Sequence, residues 1–178
     1  CGRNFEYFSE DPYLSGMMAS AVIMGIEGEG IGTSLKHFAA NSQEYCRFTS
    51  DSILDERTLR EIYLTGFEMA VKQANPATIM CSYPKINGSH ASDHKILLND
   101  ILRCEWGFDG LVVTDWGAMN DRIEAFHAGC DLNMPGGSGY MEKEVLAALQ
   151  NGELREQEID ACVRRLLKQV FRAQETLS

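Results

Sequence analysis

The sequence predicts an α/β fold in which short parallel strands alternate with helices, arranged as half of a TIM-type (β/α)8 barrel. Short apolar runs alternate with longer amphipathic segments along the chain. The runs are continuously apolar, which is typical of strands in a parallel sheet covered on both faces. Polar residues follow these runs, and parallel strands bring their carboxyl ends to one rim. About four βα units form the C-terminal half of such a barrel, although a doubly wound sheet fits the same pattern.

The first half of the chain supplies two predicted helices and one strand. Residues 12–28 place small and apolar side chains on one helical face, and residues 32–39 form a short strand. Residues 55–74 form an amphipathic helix that starts at an acidic turn, Asp55 and Glu56. Its apolar face contains Leu59, Ile62, Tyr63, Phe67, Ala70 and Val71. The glycine-rich residues 25–32 follow a helix and precede a strand, which is the wrong order for a dinucleotide-binding loop, so they predict a turn.

The second half repeats the alternation of strands and helices. The predicted strands span residues 77–82, 110–115 and 130–134, and the predicted helices span about 94–106, 119–128, 140–150 and 156–174. The first of these strands lies between Asn-Pro and Tyr-Pro, and the last two helices are separated by Asn151-Gly152, a turn signal. Asn87-Gly88-Ser89 has the spacing of a glycosylation site, but Asn-Gly favours a turn.

Composition restricts the classes of partner. The chain has 178 residues, is 44% hydrophobic and 24% charged, and carries a net charge of -10, which is typical of a soluble globular domain. This acidity disfavours nucleic acid and anionic membrane as partners, and no apolar run is long enough for a membrane span. The six cysteines are scattered without a C-x-x-C pair, which disfavours a zinc or redox motif. Several lie in apolar runs, as in IMCSY and AGCDL, so we expect these to be buried free thiols and favour a reducing compartment such as the cytoplasm.

Polar residues at the strand ends are the candidates for chemistry. They are Lys36-His37, Ser82-Tyr83, Asp115-Trp116 and Asn133-Met134. Position alone leaves Asp115 either as a helix cap or satisfied strand-end acid, or as a catalytic carboxylate. The neighbouring Trp116 favours a sugar ligand, because the apolar face of a sugar stacks on aromatic rings while its hydroxyls bind charged groups.

Other interpretations of the candidate residues stay open on the residue types alone. Lys36 fits either a solvated surface lysine or the Schiff-base lysine of a barrel lyase, and His37 fits a core histidine. His90 and His94 have the i, i+4 spacing of metal ligands, but Asp93 between them indicates a helix start, so the spacing straddles a loop and a cap. We therefore expect no metal and no cofactor.

Five stretches of the chain resemble the β-glucosidase branch of the family 3 glycoside hydrolases. They are GRNFEYFSEDPYLSG at 2–16, LKHFAANSQE at 35–44, IMCSYPKING at 79–88, GFDGLVVTDWGA at 107–118 and AGCDLNMPGG at 128–137. The resemblance implies a TIM-like catalytic barrel followed by a second α/β sandwich domain. It implies that Asp115 is the nucleophile of a retaining β-glucosidase. It further implies a sugar pocket built from Arg3, Lys36, His37, Tyr83, Trp116 and, in its lining, Met80.

The chain departs from the family pattern in two ways. Pro84 stands where the family often has asparagine after the tyrosine, which stiffens the loop after Tyr83. The chain begins at Cys1 rather than Met, so we expect residues 1–178 to be part of the barrel domain, with the first strands, the second domain and the acid/base glutamate outside it. The expected partners are a β-glucoside and the C-terminal domain of the parent protein. Xylosidase or arabinofuranosidase specificity, and an inactive half barrel, are the alternatives.

Overall fold

A computed structural model describes residues 1–137 and 139–177, and its centre is a parallel sheet. The strands are β1 (Ser34–Phe38), β2 (Asp51–Ser52), β3 (Thr78–Cys81), β4 (Lys85–Ile86), β5 (Ser89–His90) and β6 (Leu111–Thr114). The central sheet has the order β1-β3-β6, and both of its strand pairs are parallel. The predicted α/β class and parallel pairing are therefore confirmed.

Helical segments connect the strands. They are α1 (Pro12–Glu27), α2 (Glu56–Thr58), α3 (Thr65–Ala74), α4 (Arg122–Ala128), α5 (Tyr140–Asn151) and α6 (Glu156–Leu177). The segments Leu59–Leu64 and Ile96–Glu105 are π-helical, so the predicted helix at 55–74 is continuous but changes its winding. Asp55 starts this helix as predicted, because its carboxylate accepts a hydrogen bond of 2.9 Å from the backbone N–H of Thr58.

The core lies where the sheet meets the helices that cover it. Phe38, Ile79 and Val112, one from each central strand, are fully buried with Leu98 and Leu102 of the π-helical segment. Each such side chain contributes about 1.5–3 kcal/mol by leaving water. Strands with apolar side chains on both faces can exist only in this covered setting, which explains their unbroken apolar sequence.

Helices α1 and α3 pack closely through two glycines. A Cβ on Gly16 would lie 2.8 Å from Sδ of Met69 and 3.2 Å from Cα of Gly66, so only glycine fits at this crossing. The close contact holds the start of α1 against α3, beside β1. The preceding residues 3–7 are thereby placed next to the carboxyl end of β1, where the candidate site lies.

The prediction of a strand at 130–134 is wrong, except that one residue forms an isolated bridge to the central sheet. Only Leu132 pairs with the sheet, in a parallel bridge to Val113. The N–H groups of Asp131 and Leu132 both bond to the carbonyl of Val112, and Met134 donates instead to the side chain of Thr114. Backbone donors are diverted from the ladder, so no further pairs form.

A small second sheet was not predicted. β2 pairs in parallel with β4, and β4 forms an antiparallel hairpin with β5. Asn87 and Gly88 connect β4 to β5 with φ values of 52° and 92°, which confirms the predicted turn. This second sheet links the loop before β2 to the loop after Tyr83, which is one of the candidate site residues.

The other differences are at element boundaries. The helix predicted at 119–128 starts at Arg122, because the Asp121 carboxylate caps it by accepting from Ile123 and Glu124. The three cysteines Cys81, Cys130 and Cys162 are buried free thiols, as expected for two of them from their apolar neighbours. No helix within residues 1–137 and 139–177 has the length and apolar character needed to cross a membrane.

Candidate active site

Asp115 lies one residue beyond the carboxyl end of β6. Its N–H continues the ladder by donating to the carbonyl of Cys81 at 3.1 Å. Its Oδ1 accepts a hydrogen bond of 2.7 Å from the N–H of Trp116. Asp115 caps no helix, since the next helix is capped by Asp121. The structure thus excludes the helix-cap interpretation, and the carboxylate is held by its own strand end.

His37 brings an imidazole from β1 to the same carboxylate. Its Nε2 lies 3.4 Å from Oδ2 of Asp115, and the ring is buried. Oδ2 is itself buried and accepts no hydrogen bond of normal geometry from any residue that the structure describes. Burial lowers the pKa of His37, although the charges of Glu6 and Asp115 oppose this by raising it. The imidazole is therefore neutral near pH 7.

Arg3 lies on the far side of His37 and is already engaged. Its Nε donates to Oε1 of Glu6 at 2.5 Å, and its Nη1 donates to Glu44. Glu6 in turn lies 3.6 Å from Nδ1 of His37. The guanidinium is buried, at 6% exposure, so these two carboxylates compensate its charge.

Tyr83 reaches the nucleophile candidate from β3. Its hydroxyl donates to the carbonyl of Trp116 at 2.8 Å, which ties the loop after β3 to the residue after Asp115. The side chains of Arg47 and Phe48 lie over the ring at 4.3 Å and 4.4 Å between group centres. Burial, and then the charge of Asp115, raise the pKa of Tyr83, so its hydroxyl keeps its proton and acts as a donor.

The remaining predicted residues lie around this cluster without joining it. The Trp116 ring is 63% exposed, and Met80 is half-buried on β3. Lys36 is exposed, and within the described part of the chain its ammonium has no ion-pair or hydrogen-bond partner. The structure therefore brings together His37, Tyr83 and Asp115, while Lys36 projects into solvent.

A cleft of about 680 Å³ opens beside His37. Its wall includes Glu6, Tyr7, Lys36, His37 and Phe67, whereas Asp115 lies behind the imidazole. The cleft has both apolar and polar walls, as sugar sites commonly do. His37 forms the boundary between this space and the carboxylate.

His90 and His94 face separate partners. Nδ1 of His90 lies 3.3 Å from the carbonyl of Tyr83, and Nδ1 of His94 accepts from the N–H of Leu97 at 3.3 Å. Within the described residues no group of three potential ligands is placed to hold a metal ion. Both rings contribute to local backbone structure.

Sequence reasoning missed Glu6, Tyr7 and Glu44 as neighbours of the site. Tyr7 places its hydroxyl 3.2 Å from Nδ1 of His37, and Glu6 and Glu44 bind Arg3. Their only signal was membership of the GRNFEYFSEDP and KHFAANSQE stretches. The Tyr7–His37 and Arg3–Glu44 contacts join residues 30 and 41 positions apart, so no local periodicity could reveal them, whereas Arg3 and Glu6 are only three positions apart.

Comparison with known proteins places this chain among glycosidases. The Glycosyl hydrolase family 3 N terminal domain matches residues 1–169. The chain is 52% identical over 175 residues to the thermostable beta-glucosidase B of Acetivibrio thermocellus, covering 98% of this chain and 23% of that protein. It is 45% identical over 177 residues to the exo-alpha-(1->6)-L-arabinopyranosidase of Bifidobacterium longum, covering 99% of this chain and 23% of that protein.

Solved structures show the same fold. Beta-glucosidase 3B of Thermotoga neapolitana in complex with glucose superposes with a TM-score of 0.94 and 46% identity, covering 99% of this chain and 26% of that chain. Beta-glucosidase of Kluyveromyces marxianus in complex with glucose gives a TM-score of 0.95 and 45% identity, and the match covers 99% of this chain and 21% of that chain. The chain spans about a quarter of the length of these relatives. This chain therefore belongs to glycosyl hydrolase family 3 and has the fold of that family's N-terminal domain.

Proposed function

We propose that the full-length protein containing this chain is a retaining β-glycoside hydrolase that removes terminal β-D-glucosyl residues. The observation that carries the proposal is the unequal environment of the two Asp115 oxygens. Oδ1 is anchored by the Trp116 N–H, whereas Oδ2 is buried beside His37 without a hydrogen bond of normal geometry. A nucleophilic oxygen must keep a lone pair that no donor occupies, and Oδ2 is the oxygen of Asp115 that does so.

In the proposed first step, Oδ2 of Asp115 attacks the anomeric carbon, and the bond from that carbon to the leaving oxygen breaks. A second carboxyl group gives its proton to the leaving oxygen, and the sugar becomes bonded to Asp115. Water then attacks the same carbon after losing a proton to that second group, which releases the sugar and restores Asp115. Retaining enzymes place the two carboxyl groups about 5–5.5 Å apart.

We propose that the acid/base carboxyl group lies outside residues 1–178, on a second α/β sandwich domain. Glu6 is a poor candidate because Nε of Arg3 already binds it at 2.5 Å and because it faces Nδ1 of His37, away from Asp115. The chain itself would be half of a TIM-type barrel. The isolated chain would then be inactive or nearly so, and its turnover of a nitrophenyl glucoside, compared with that of the full-length protein, tests this directly.

The sugar pocket we propose extends from Asp115 toward the cleft. His37 would line the pocket beside Asp115, the free N–H groups of Arg3 would bind hydroxyls of the glucosyl unit, and Lys36 would close over them from solvent. Tyr83 would stay beside the reacting carbon, Met80 would line the floor and the exposed Trp116 ring would stack on the aglycone. These roles rest on the positions of the side chains around one carboxylate and on family membership.

A covalent label tests the nucleophile. The full-length protein is incubated with a 2-fluoro glucoside, digested, and the labelled peptide is sequenced by mass spectrometry. We expect the label on Asp115, and no label on the Asp115→Asn variant. A label on any other residue of the wild-type protein would contradict the assignment.

Pentosides are the second candidate substrates. The relatives at 45% identity include proteins named as exo-alpha-(1->6)-L-arabinopyranosidases, and an arabinopyranosyl unit has the glycosyl ring size without its exocyclic carbon. Relative kcat/KM values of the full-length protein for nitrophenyl β-D-glucopyranoside, β-D-xylopyranoside and α-L-arabinopyranoside separate the two. A preference for either pentoside would replace the glucosidase proposal and leave the retaining mechanism intact.

A further inference from the structure

Tyr7 contacts the back of the imidazole that faces Asp115. Its hydroxyl oxygen lies 3.2 Å from Nδ1 of His37, while Nε2 of the same ring lies 3.4 Å from Oδ2 of Asp115. The two rings meet edge to face, with centroids 6.2 Å apart and planes at 60°. The order Tyr7–His37–Asp115 therefore runs in one line from the cleft wall to the carboxylate.

The chemistry of the three groups decides where the protons lie. A carboxylate only accepts hydrogen bonds, so Asp115 favours the tautomer with the ring proton on Nε2, the nitrogen that faces it. Burial lowers the pKa of His37, so the ring is neutral and its Nδ1 has a lone pair. Burial, and then the charge of Glu6, raise the pKa of Tyr7, so its hydroxyl keeps the proton that Nδ1 can accept.

We propose that Tyr7 is a positioning residue, which donates to Nδ1 of His37, fixes the Nε2–H tautomer and thereby orients Oδ2 of Asp115. The effect of Tyr7 on catalysis rests on the proposed function, whereas its effect on the tautomer of His37 does not. The role of such a partner is to select one of two otherwise similar neutral rings. Without a donor at Nδ1, nothing on that side of the ring would favour this tautomer.

Glu6 makes the contribution of Tyr7 necessary. Its Oε1 lies 3.6 Å from Nδ1 of His37, so it competes for a proton on that nitrogen. A ring with the proton on Nδ1 would turn a lone pair toward Oδ2 of Asp115 and repel it. The other charges that face the ring are Asp115, which favours protonation, and Lys36 and Arg3, which oppose it.

The first experiment compares Tyr7→Phe with a matched control, Tyr45→Phe, in the full-length protein. Tyr45 is 81% exposed and lies outside the residues that line the cleft. The rate of labelling by the 2-fluoro glucoside is measured against pH. We expect Tyr7→Phe to slow labelling about tenfold at pH 7, the effect of one lost hydrogen bond, and Tyr45→Phe to leave it unchanged.

The pH profile separates positioning from general disturbance. Losing the Tyr7 donor removes support for the neutral ring, so the pKa of His37 rises and the acid arm of the profile moves up by about one pH unit. A Tyr7→Phe profile with the wild-type rate and the wild-type acid arm would overturn the proposal. A label found away from Asp115 in the wild type would instead defeat the proposed function and leave the tautomer question to the second experiment.

The second experiment observes the tautomer without any reaction. Nitrogen NMR of the full-length protein with 15N-labelled histidine, assigned by the loss of a signal in His37→Gln, reports which ring nitrogen of His37 carries the proton. We expect a protonated Nε2 and a bare Nδ1 at pH 7. A proton on Nδ1, alone or together with one on Nε2, would overturn the proposal even if Tyr7→Phe failed to fold.

Discussion

Asp115 and Asp131 both contact strand β6, but their carboxylates have opposite surroundings. Asp131 accepts hydrogen bonds from the Val112 N–H at 2.8 Å, from Arg103 at 2.8 Å and from Arg165 at 2.7 Å, and its side chain is fully buried. Among the described residues Asp115 accepts one hydrogen bond of normal geometry, from the Trp116 N–H, and its second oxygen lies 3.4 Å from Nε2 of His37. Both oxygens of Asp131 therefore accept hydrogen bonds from fixed donors, whereas Oδ2 of Asp115 accepts none of normal geometry from the described residues.

The difference separates a structural acid from the acid that we propose as the nucleophile. Both oxygens of Asp131 are used to hold Arg103 and Arg165, which link the π-helical segment and α6 to β6. Arg103 extends the link by donating to the carbonyls of Gly110 and Gly129. A buried acid with all its bonds made stabilises the fold, whereas an incompletely bonded one is available to a ligand.

The largest expected effect comes from a substitution that removes the carboxylate of Asp115, including the unbonded Oδ2. We expect Asp115→Asn to lower kcat of the full-length protein by about 10⁴-fold or more, the order seen when a hydrolase loses a catalytic-triad residue. Its thermal unfolding temperature should stay within a few degrees of wild type, since no fixed donor to Oδ2 is lost. Nitrophenyl glucoside turnover and a thermal melt measure the two quantities. Unchanged turnover would remove Asp115 from the chemistry.

Asp131→Asn should show the opposite pattern. Two half-buried guanidinium groups would lose the fully buried carboxylate that balances their charge, and removing one partner of a buried ion pair costs up to about 3–5 kcal/mol. We expect a clearly lowered unfolding transition in urea, with kcat per folded molecule within a few-fold of wild type. Glu68→Gln, at an exposed i, i+4 pair with Lys72, is the matched control and should change stability by less than about 0.5 kcal/mol. Equal stability losses in both variants would contradict the distinction between the two acids.

Tyr83→Phe tests whether the strand end around Asp115 needs its side support. The variant loses the hydrogen bond of 2.8 Å to the Trp116 carbonyl, which contributes about 1 kcal/mol. We therefore expect kcat/KM to fall by up to about tenfold without loss of folding. Tyr45→Phe, at a site that is 81% exposed, provides the control with unchanged kinetics. A wild-type kcat/KM in Tyr83→Phe would show that Asp115 is held by its strand alone.

A third acid, Glu158, sharpens the comparison because it is fully paired but near the surface. The bond from Arg155, and then the bond of 2.9 Å with His127, lower its pKa to about 2. Arg155 is 72% exposed and screened by water, so Glu158→Gln should cost less than about 1 kcal/mol.

The pH dependence of this small effect has a definite sign. A carboxyl group with a lowered pKa in the folded state stabilises the protein above its ordinary pKa of 4.5, and the contribution is lost as the pH falls toward about 2. The stability difference between wild type and Glu158→Gln should therefore shrink between pH 5 and pH 3 in urea unfolding. A difference that grows on acidification would contradict this account.

The candidate site was predictable where it depends on strand ends. The apolar run before Asp115 indicated a parallel strand, and parallel strands bring their ends together, so the meeting of Asp115 with His37 and Tyr83 follows from local pattern. The distinction between Asp115 and Asp131 was not predictable. Both acids follow apolar residues, in VVTDW and AGCDL, and the donors that saturate Asp131 come from positions 103 and 165.

Several features outside the strand ends also needed the folded chain. Lys36 and His37 are adjacent in β1 and both line the cleft, yet Lys36 is exposed and His37 is buried, and only the elements packed around β1 decide which of the two is covered. The second sheet pairs strands of only two residues, too short to leave a periodic signal.

Sequence by itself determined the alternation of strands and helices, the parallel sheet, the Asn87-Gly88 turn and the family, because these depend on periodicity, turn chemistry and local motifs. Tertiary structure alone decided which acid keeps an oxygen available, which nitrogen of His37 faces it and which residue supports that imidazole from behind. The physical reason is that hydrogen-bond saturation and burial depend on partners far apart in the chain. Tyr7 and His37 are 30 residues apart, and Asp131 and Arg165 are 34 apart, yet each pair meets within 3.2 Å.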